Sequence, residues 1–359
     1  MRALCLYAGP AARQHIEKQG LRAADIAVLA GAAGGPKGLI LGALDRFIFG
    51  NWLAQSNHEV HLVGASIGAW RMATACLNDP VTAFLRLEQD YIRQHYELQP
   101  GEKRPSAATV SHLFGENLRA FYDGRIEEIL THPRFRLHVV TAHGRHLLER
   151  EQPYRTALGF LGAWLSNLVQ RRALGGWLER IVFSTPGAAL PFDSSDYPTQ
   201  QFDLSQANFN LALQASCSIP FVLQAVHDIP GGPGGAYWDG GLTDYHLHLN
   251  YAARAESQGL VLYPHFQRAV VPGWLDKHLT WRHGSSAFLD NMLLLAPNPE
   301  WVGTLPNGKL PDRTDFVRYG ADLASRVRDW SAAAAASVQM VDEFDDWLRQ
   351  PDVKLVQAL

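Results

Sequence analysis

Residues 26–77 hold the feature that most limits what this chain can fold into: a short apolar run, a glycine-rich turn and a helical pattern, twice in succession. Residues 26–30 lead into Gly31-Ala32-Ala33-Gly34-Gly35-Pro36-Lys37-Gly38, and Leu39, Leu41, Leu44, Phe47 and Ile48 follow at helical spacing. Residues 60–63 enter Gly64-Ala65-Ser66-Ile67-Gly68 and then a helix through Leu77. Strand, tight turn and helix in repetition predict an α/β fold, a mostly parallel central sheet with helices on both faces.

The rest of the chain extends that pattern. Pro80 opens a helix to about residue 97, and 99–105 is a turn-rich, charged connector. A helix over 117–130, a strand over 135–141, a long helical region over 155–180 and a strand over 181–185 follow. Then come a helix over 206–215, a short strand over 236–238 and a last strand over 259–263. From residue 285 onward the pattern reads as helical, with an Ala-rich helix near 322–344. No internal repeat and no long linker divides the chain. One domain over 1–359 is expected, its motifs within about 25–245 and a helical extension over about 285–359.

Charge and cysteine usage remove whole classes of function. Lys plus Arg is 32 against 35 Asp plus Glu, a net −3, so no basic excess points to nucleic acid. Charged residues are 19% of the chain, below the roughly 25% of an average soluble protein. Three cysteines (Cys5, Cys76, Cys217) make no disulfide framework and no zinc spacing, which fits a reducing, cytoplasmic location. The apolar run at residues 3–7 is too short for a secretory signal, and no stretch approaches the roughly 20 residues that cross a bilayer.

Three segments carry chemistry. Gly64-Ala65-Ser66-Ile67-Gly68 is a G-x-S-x-G between strand and helix, where a strained turn pushes the serine Oγ out above the sheet and the following helix aims its first N–H groups at an oxyanion. The plainer reading is a βα turn that only needs small residues. The earlier loop, residues 31–38, leaves backbone N–H groups unobstructed. It is no phosphate-binding P-loop, because Gly38 stands where a hydroxyl residue should follow Lys37, and no dinucleotide fingerprint, because Ala33 replaces its first glycine. An oxyanion hole made by Gly34 and Gly35, with Ile67 after the serine, is the use that survives. Third, Tyr237-Trp238-Asp239-Gly240-Gly241-Leu242 ends a short aromatic strand on an Asp that can accept a serine proton where the site is dry. An ordinary Asp-Gly turn would look the same in isolation.

Together and in this order the three segments resemble the patatin-like phospholipase family. The resemblance rests on Ala33-Gly34-Gly35-Pro36-Lys37-Gly38, on Gly64 to Gly68, and on Asp239-Gly240-Gly241, with Ala215-Ser216-Cys217-Ser218-Ile219-Pro220 similar to the small-residue stretch that precedes the D-G-[AG] turn. It implies a Ser66–Asp239 dyad without a catalytic histidine, acting on acyl esters of lipids with no cofactor and no metal. Two departures stand out: Ala33 for the first loop glycine, and Lys37 where the family usually has Arg, which keeps the charge but loses a bidentate fork.

Other readings remain open from the sequence. An α/β-hydrolase triad would recruit a histidine after Asp239, with His246, His248, His265, His278 and His283 available and His265 the best placed. A non-catalytic lipid- or protein-binding module is the other. The greasy segment 157–177 reads as a buried core helix, or as a lid, a subunit contact or a peripheral membrane face with Arg171, Arg172 and Arg180 near headgroups. The Trp-rich tract 274–281 either lines an acyl site or packs the C-terminal part. Which ester is hydrolysed, and the oligomeric state, are not written in the sequence.

Overall fold

Strand residues buried at consecutive positions belong to a sheet covered on both faces, and the central strands here are buried in that way. In the computed structural model, which describes residues 1–96, 105–253 and 259–359, 11 strands form one mixed, mostly parallel sheet. They are β1 (Leu4–Ala8), β2 (Ile26–Gly31), β3 (Val60–Ala65), β4 (Phe135–Gly144), β5 (Leu178–Ser184), β6 (Thr199–Asp203), β7 (Val226–His227), β8 (Ala236–Asp239), β9 (Leu260–Pro264), β10 (Met292–Pro297) and β11 (Val356–Ala358). The order is β11-β1-β10-β9-β2-β3-β4-β5-β6, with β8 added to β4 and β7 to β8. The run from β10 through β9, β2 and β3 to β4 is parallel. Antiparallel pairings join β1 to β10, β5 and β8 to β4, and β7 to β8.

Several elements differ from the sequence expectation. Residues 259–263 do not end the sheet: β10 lies beside β9, inside the region expected to be helical from 285 onward. A six-residue apolar run buried on both faces has no period of two, so it is indistinguishable from a piece of helix until its neighbours are known. The same holds for β1, five residues near the N-terminus that pair with both β10 and β11. The polar edge strand β6 carries no apolar alternation. The helical region over 155–180 is a helix only over Pro153–Val169; Gln170 turns extended, Gly175 and Gly176 break the path, and Arg180 belongs to β5. The helix expected over 117–130 is two, Ala107–Tyr122 and Ile126–Leu130. The Ala-rich helix breaks at Ser337 into Leu323–Ala336 and Val338–Arg349. The helix opened by Pro80 ends at Arg93, and the connector at 99–105 lies almost wholly outside the described residues.

One feature of the register positions everything that follows. Along one edge of β4, β3 pairs up to Ala65 opposite Val140. The next position of β4, Thr141, is already opposite Asp239, and β8 continues antiparallel through Trp238 and Tyr237. Two strands therefore end head to head on the same edge, one delivering Ser66 and the other Asp239.

Buried ion pairs hold the segments leaving that junction. Arg180 on β5 is fully buried and forms a two-pronged pair with Asp244, Nε to Oδ2 at 2.7 Å and Nη2 to Oδ1 at 2.6 Å. Asp244 closes the short helix Gly241–Asp244 that follows the Asp239 turn. Arg71, in the helix Ile67–Ala75 behind Ser66, grips buried Asp45 in the same way at 2.6 and 2.7 Å. Removing one member of such a pair strands a charge in the interior, which costs about 3–5 kcal/mol. Arg180→Leu is expected to lose about that much in urea-unfolding stability, and an unchanged midpoint would show that Asp244 finds another partner.

Candidate active site

Ser66 sits between β3 and the helix Ile67–Ala75 with φ 56° and ψ −128°, in the left-handed half of the map where a side chain is strained. The strain is maintained by close packing that only glycine permits. A Cβ on Gly68 would lie 1.8 Å from the carbonyl oxygen of Gly31, and one on Gly64 would lie 2.4 Å from the Cα of Ala69. Gly31 and Gly64 face one another in the β2–β3 register, so the donor-rich loop and the serine turn leave the sheet side by side.

The Ser66 hydroxyl donates to Asp239 Oδ2 at 2.8 Å, and both residues are buried. The other carboxylate oxygen, Oδ1, accepts the N–H of Gly241 at 2.7 Å. Ser216 fills the gap between the two strand ends. Its Oγ donates to the Val140 carbonyl at 2.6 Å and accepts the Ser66 N–H at 2.9 Å, carrying the ladder one step past the end of β3. The carbonyls of Ser218 and Ser216 accept the N–H groups of Asp239 and Gly240 at 2.9 and 3.2 Å. The small-residue stretch 215–220 thus holds both turns. Gly240 cannot carry a side chain, since a Cβ there would meet the Val140 carbonyl oxygen at 2.1 Å.

Burial dominates the electrostatics of Asp239. It pushes the carboxyl above the ordinary Asp value, although Arg313, the Ser66 hydroxyl, the Gly241 N–H and Lys277 all act in the opposite direction. Cys217 adjoins the Ser66 hydroxyl and is held as the neutral thiol by burial and by the charge of Asp239.

The loop over 31–38 lies against the dyad on two sides. Ala33 spends its N–H on the Tyr245 carbonyl at 3.0 Å, so its departure from the family glycine removes no free donor. Gly34 and Gly35, by contrast, spend their N–H groups on no protein acceptor among the described residues. Gly35 is left-handed at φ 57°, and a Cβ on Gly34 would strike the Phe266 ring at 2.4 Å. Ile67 opens its helix, so its N–H has no acceptor in the preceding turn. Gly38 packs on the Ile67 side chain, and Lys37 lies with Nζ 5.1 Å from the Phe266 ring centroid.

Two clefts open at this loop. One, about 260 Å³, is lined by Ala33, Gly34, Ile219, Pro220, Asp239, Leu242, Tyr245, Trp274 and Arg313. The other, about 340 Å³, lies beyond Gly35 and Ile67 and is walled by Leu39, Phe84, Leu87 and Tyr91, with Asp45, Arg71 and Glu88 also on its lining. Arg313, Trp274 and Lys277 come from the part of the chain to which the sequence motifs assigned nothing. The Trp-rich tract 274–281 was an advance signal for Trp274 and Lys277; Arg313 had none.

None of the five candidate histidines hydrogen-bonds to Ser66 or Asp239. His265 is fully buried, with Nδ1 on the Gln267 carbonyl, and burial drives its pKa down to about 3. His246 is buried beside it and is likewise held neutral. His248 binds Val270 and Ser286, and His283 donates to the Asp276 carbonyl at 2.8 Å. His278 is exposed.

Segment 157–177 is not a buried core helix. The helix Pro153–Val169 buries only the narrow stripe Thr156, Gly159, Ala163 and Asn167, and turns Tyr154, Leu158, Leu161, Trp164, Leu165 and Val169 outward. Of the three arginines expected near headgroups, Arg180 is interior and Arg171 is tied to Asp276 and Asp244; Arg172 alone is exposed. The tract 274–281 divides: Trp274 lines the first cleft, Trp281 is exposed, and buried Asp276 anchors the tract to Asn167, Arg171 and Arg282. Among the described residues no helix is long and apolar enough to cross a membrane.

In comparisons with known proteins, the sequence matches no family model and no curated protein.

Because Gly68 and Gly31 are in backbone contact, Gly68→Ala must push the two turns apart. We expect a loss of about 1–3 kcal/mol in thermal or urea stability, as for other overpacked sites. A variant as stable as the parent would show that the elbow can relax.

Proposed function

We propose that this protein is a serine acyl-ester hydrolase of patatin-like type, using Ser66 as nucleophile and Asp239 as base. The observation that carries the reading is the 2.8 Å hydrogen bond from a strained, buried serine to a buried carboxylate, with no histidine on either group. In this reaction the Ser66 oxygen attacks the ester carbonyl carbon as Asp239 takes its proton, and the alcohol leaves with a proton returned from Asp239. Asp239 then deprotonates the water that attacks the acyl carbon, and returns that proton to the Ser66 oxygen as the acid leaves, which restores both groups. The unused N–H groups of Gly34, Gly35 and Ile67 hold the oxyanion; each such donor is worth on the order of a hundredfold or more in rate. Gly64, Gly68, Gly240 and Gly241 support the two turns. The apolar wall of Leu39, Phe84 and Leu87 suits the acyl tail.

The raised pKa of Asp239 matches this role. A carboxylate that is hard to ionise is a stronger base once ionised, and it keeps the proton it has taken more readily than an exposed Asp would. The sign for pH follows directly. Only the ionised form accepts a proton, so kcat/KM falls as pH drops through a pKa above the ordinary Asp range. Ser66→Ala and Asp239→Asn should each lose on the order of 10³-fold or more in kcat/KM on p-nitrophenyl esters. His265→Ala should keep an acid limb and turnover governed by Asp239. A fluorophosphonate probe should label Ser66 in the native protein; no labelling, or an Asp239→Asn variant with appreciable turnover, refutes the dyad.

The lipid-facing part of the proposal rests on the exposed apolar side chains of the helix Pro153–Val169 and of Phe221. Phe160, on the helix Pro153–Val169, packs edge-on against exposed Phe221 at 5.9 Å between centroids, and Phe221 follows the cleft residues Ile219 and Pro220. Half-buried Phe160 thus ties the helix that carries the outward ridge to the segment that lines the cleft, a placement suited to seating the protein on a lipid surface while an ester enters. Leu161→Glu with Leu165→Glu, both on exposed positions, should reduce co-sedimentation with phospholipid vesicles several-fold without lowering the melting temperature. Unchanged sedimentation would assign the ridge to another purpose.

A further inference from the structure

The interior arginines of this protein are ion-paired except Arg326, which is held by the Gln94 carbonyl instead. Arg71 has Asp45, Arg180 has Asp244 and Asp196, and Arg171 and Arg282 share Asp276. Around the first cleft stand three cations with no ion-pair or hydrogen-bond partner among the described residues: Lys37, Lys277 and Arg313. Arg313 lines the cleft wall, and its Nε lies 3.1 Å from the place where a Gly35 Cβ would be, so the guanidinium lies across the oxyanion loop. Lys277 holds its Nζ 4.3 Å from the ring centroid of Tyr245 and 5.1 Å from that of Trp274, both cleft residues. Lys37 sits on Phe266, the ring that closes over Gly34.

Such an arrangement is expensive. Three like charges repel, and two of them are half-buried on aromatic rings rather than in water. Burial and mutual repulsion lower the pKa of Lys37, and lower that of Lys277 to about 8. The carboxylates facing the group, Asp239 and Asp312, attract it through space but form no ion pair with it. Asp239 is engaged by Ser66 and Gly241, and Asp312, which faces Lys37, is bound to Lys309 at 2.8 Å. Unpartnered charges gathered at a cleft mark a ligand of the opposite sign.

We propose that Arg313, Lys277 and Lys37 form an anion subsite beside Ser66, and that the ester hydrolysed here carries a phosphate or carboxylate group close to its scissile bond. The proposal rests on the reading of Ser66 as nucleophile and adds the substrate's charge to it. Arg313 supplies a planar fork that matches two oxyanion oxygens, and Lys277 and Lys37 supply point charges on either side. The anion belongs either to a lipid headgroup or to a soluble ester, and the chemistry of recognition is the same for both.

Inorganic phosphate tests the subsite without turnover. Calorimetry, or quenching of Trp274 fluorescence, should detect phosphate binding to the full-length protein. Binding should weaken about tenfold or more in Arg313→Gln and in Lys277→Gln, the loss expected for one charge-assisted contact. Arg313 is exposed and unpaired, so its variant should fold as the parent does. In a second arm, p-nitrophenyl esters of equal length are compared, one neutral and one ending in a carboxylate. The ratio of their kcat/KM values should favour the anionic ester about tenfold and fall toward one in both variants. In a third arm, an Arg313-dependent preference for phospholipid vesicles over neutral diacylglycerol places the anion on a lipid. The preference for anionic over neutral soluble esters alone places it on a soluble substrate. Phosphate binding that is absent, or that ignores both substitutions, overturns the subsite. So does a neutral ester turned over as fast as its anionic partner, an outcome that leaves the Ser66–Asp239 reading intact. Phosphate binding through Arg313 in a protein whose Ser66 is inert would support the subsite and remove the hydrolase reading instead.

Discussion

The candidate site depends on two strands of unequal origin sharing one edge of β4. β4 runs 10 residues, and β3 occupies only the first part of its edge before turning away at Ala65. β8 arrives from the opposite direction and takes the remaining positions, beginning with Asp239 opposite Thr141. A nucleophile turn and a carboxylate turn are thereby brought to the same point from residues far apart in the chain. The Ser216 hydroxyl bridges the seam by standing in for the ladder partner that Ser66 and Val140 each lack. Backbone approaches of this kind leave no room for side chains, which is why Gly31, Gly68 and Gly240 occur where carbonyl oxygens press closest.

Electrostatically the site runs against the habit of the rest of the molecule. Elsewhere buried Arg71 and Arg180 are each met by a buried aspartate in a two-pronged pair, and these pairs pin the segments on either side of the junction. At the site, a carboxylate is buried without an ion-pair partner, and burial outweighs the positive groups around it. The folded chain holds the Asp239 proton more tightly than the unfolded chain does. Stability from this group is therefore lost as pH rises from the ordinary Asp value through the raised one. Strain at Ser66 and crowding of like charges at Lys277 add to that cost. Concentrating several locally unfavourable features in one place is what the proposed hydrolase reading would require of its site.

Legibility in the sequence followed from how local each feature is. The strand–turn–helix units over residues 26–77 were readable because hydrophobic period and glycine placement are properties of neighbouring residues. Ser66 and the loop glycines are legible for the same reason, whereas Asp239 stands out only because its Asp-Gly-Gly turn follows the other two segments in order. β1 and β10 could not be read, because strands buried on both faces lose the alternation that marks a strand, and only pairing partners distinguish them from helix. For the helix Pro153–Val169 composition alone leaves core and surface open, and only the structure shows that one narrow stripe found a partner.

By itself, then, the sequence determined the α/β class, the two turns that end in Ser66 and Asp239, and the glycine-rich loop with its spare N–H groups. Tertiary structure alone decided that the serine and the aspartate share a hydrogen bond, that the five histidines lie on other partners, and that Arg313 and Lys277 stand at the cleft. The physical reason is range. Turn geometry and hydrophobic period act over a few residues, whereas the contact of residue 66 with 239, and of residue 313 with the loop at 35, exists only once β3, β4 and β8 are in register.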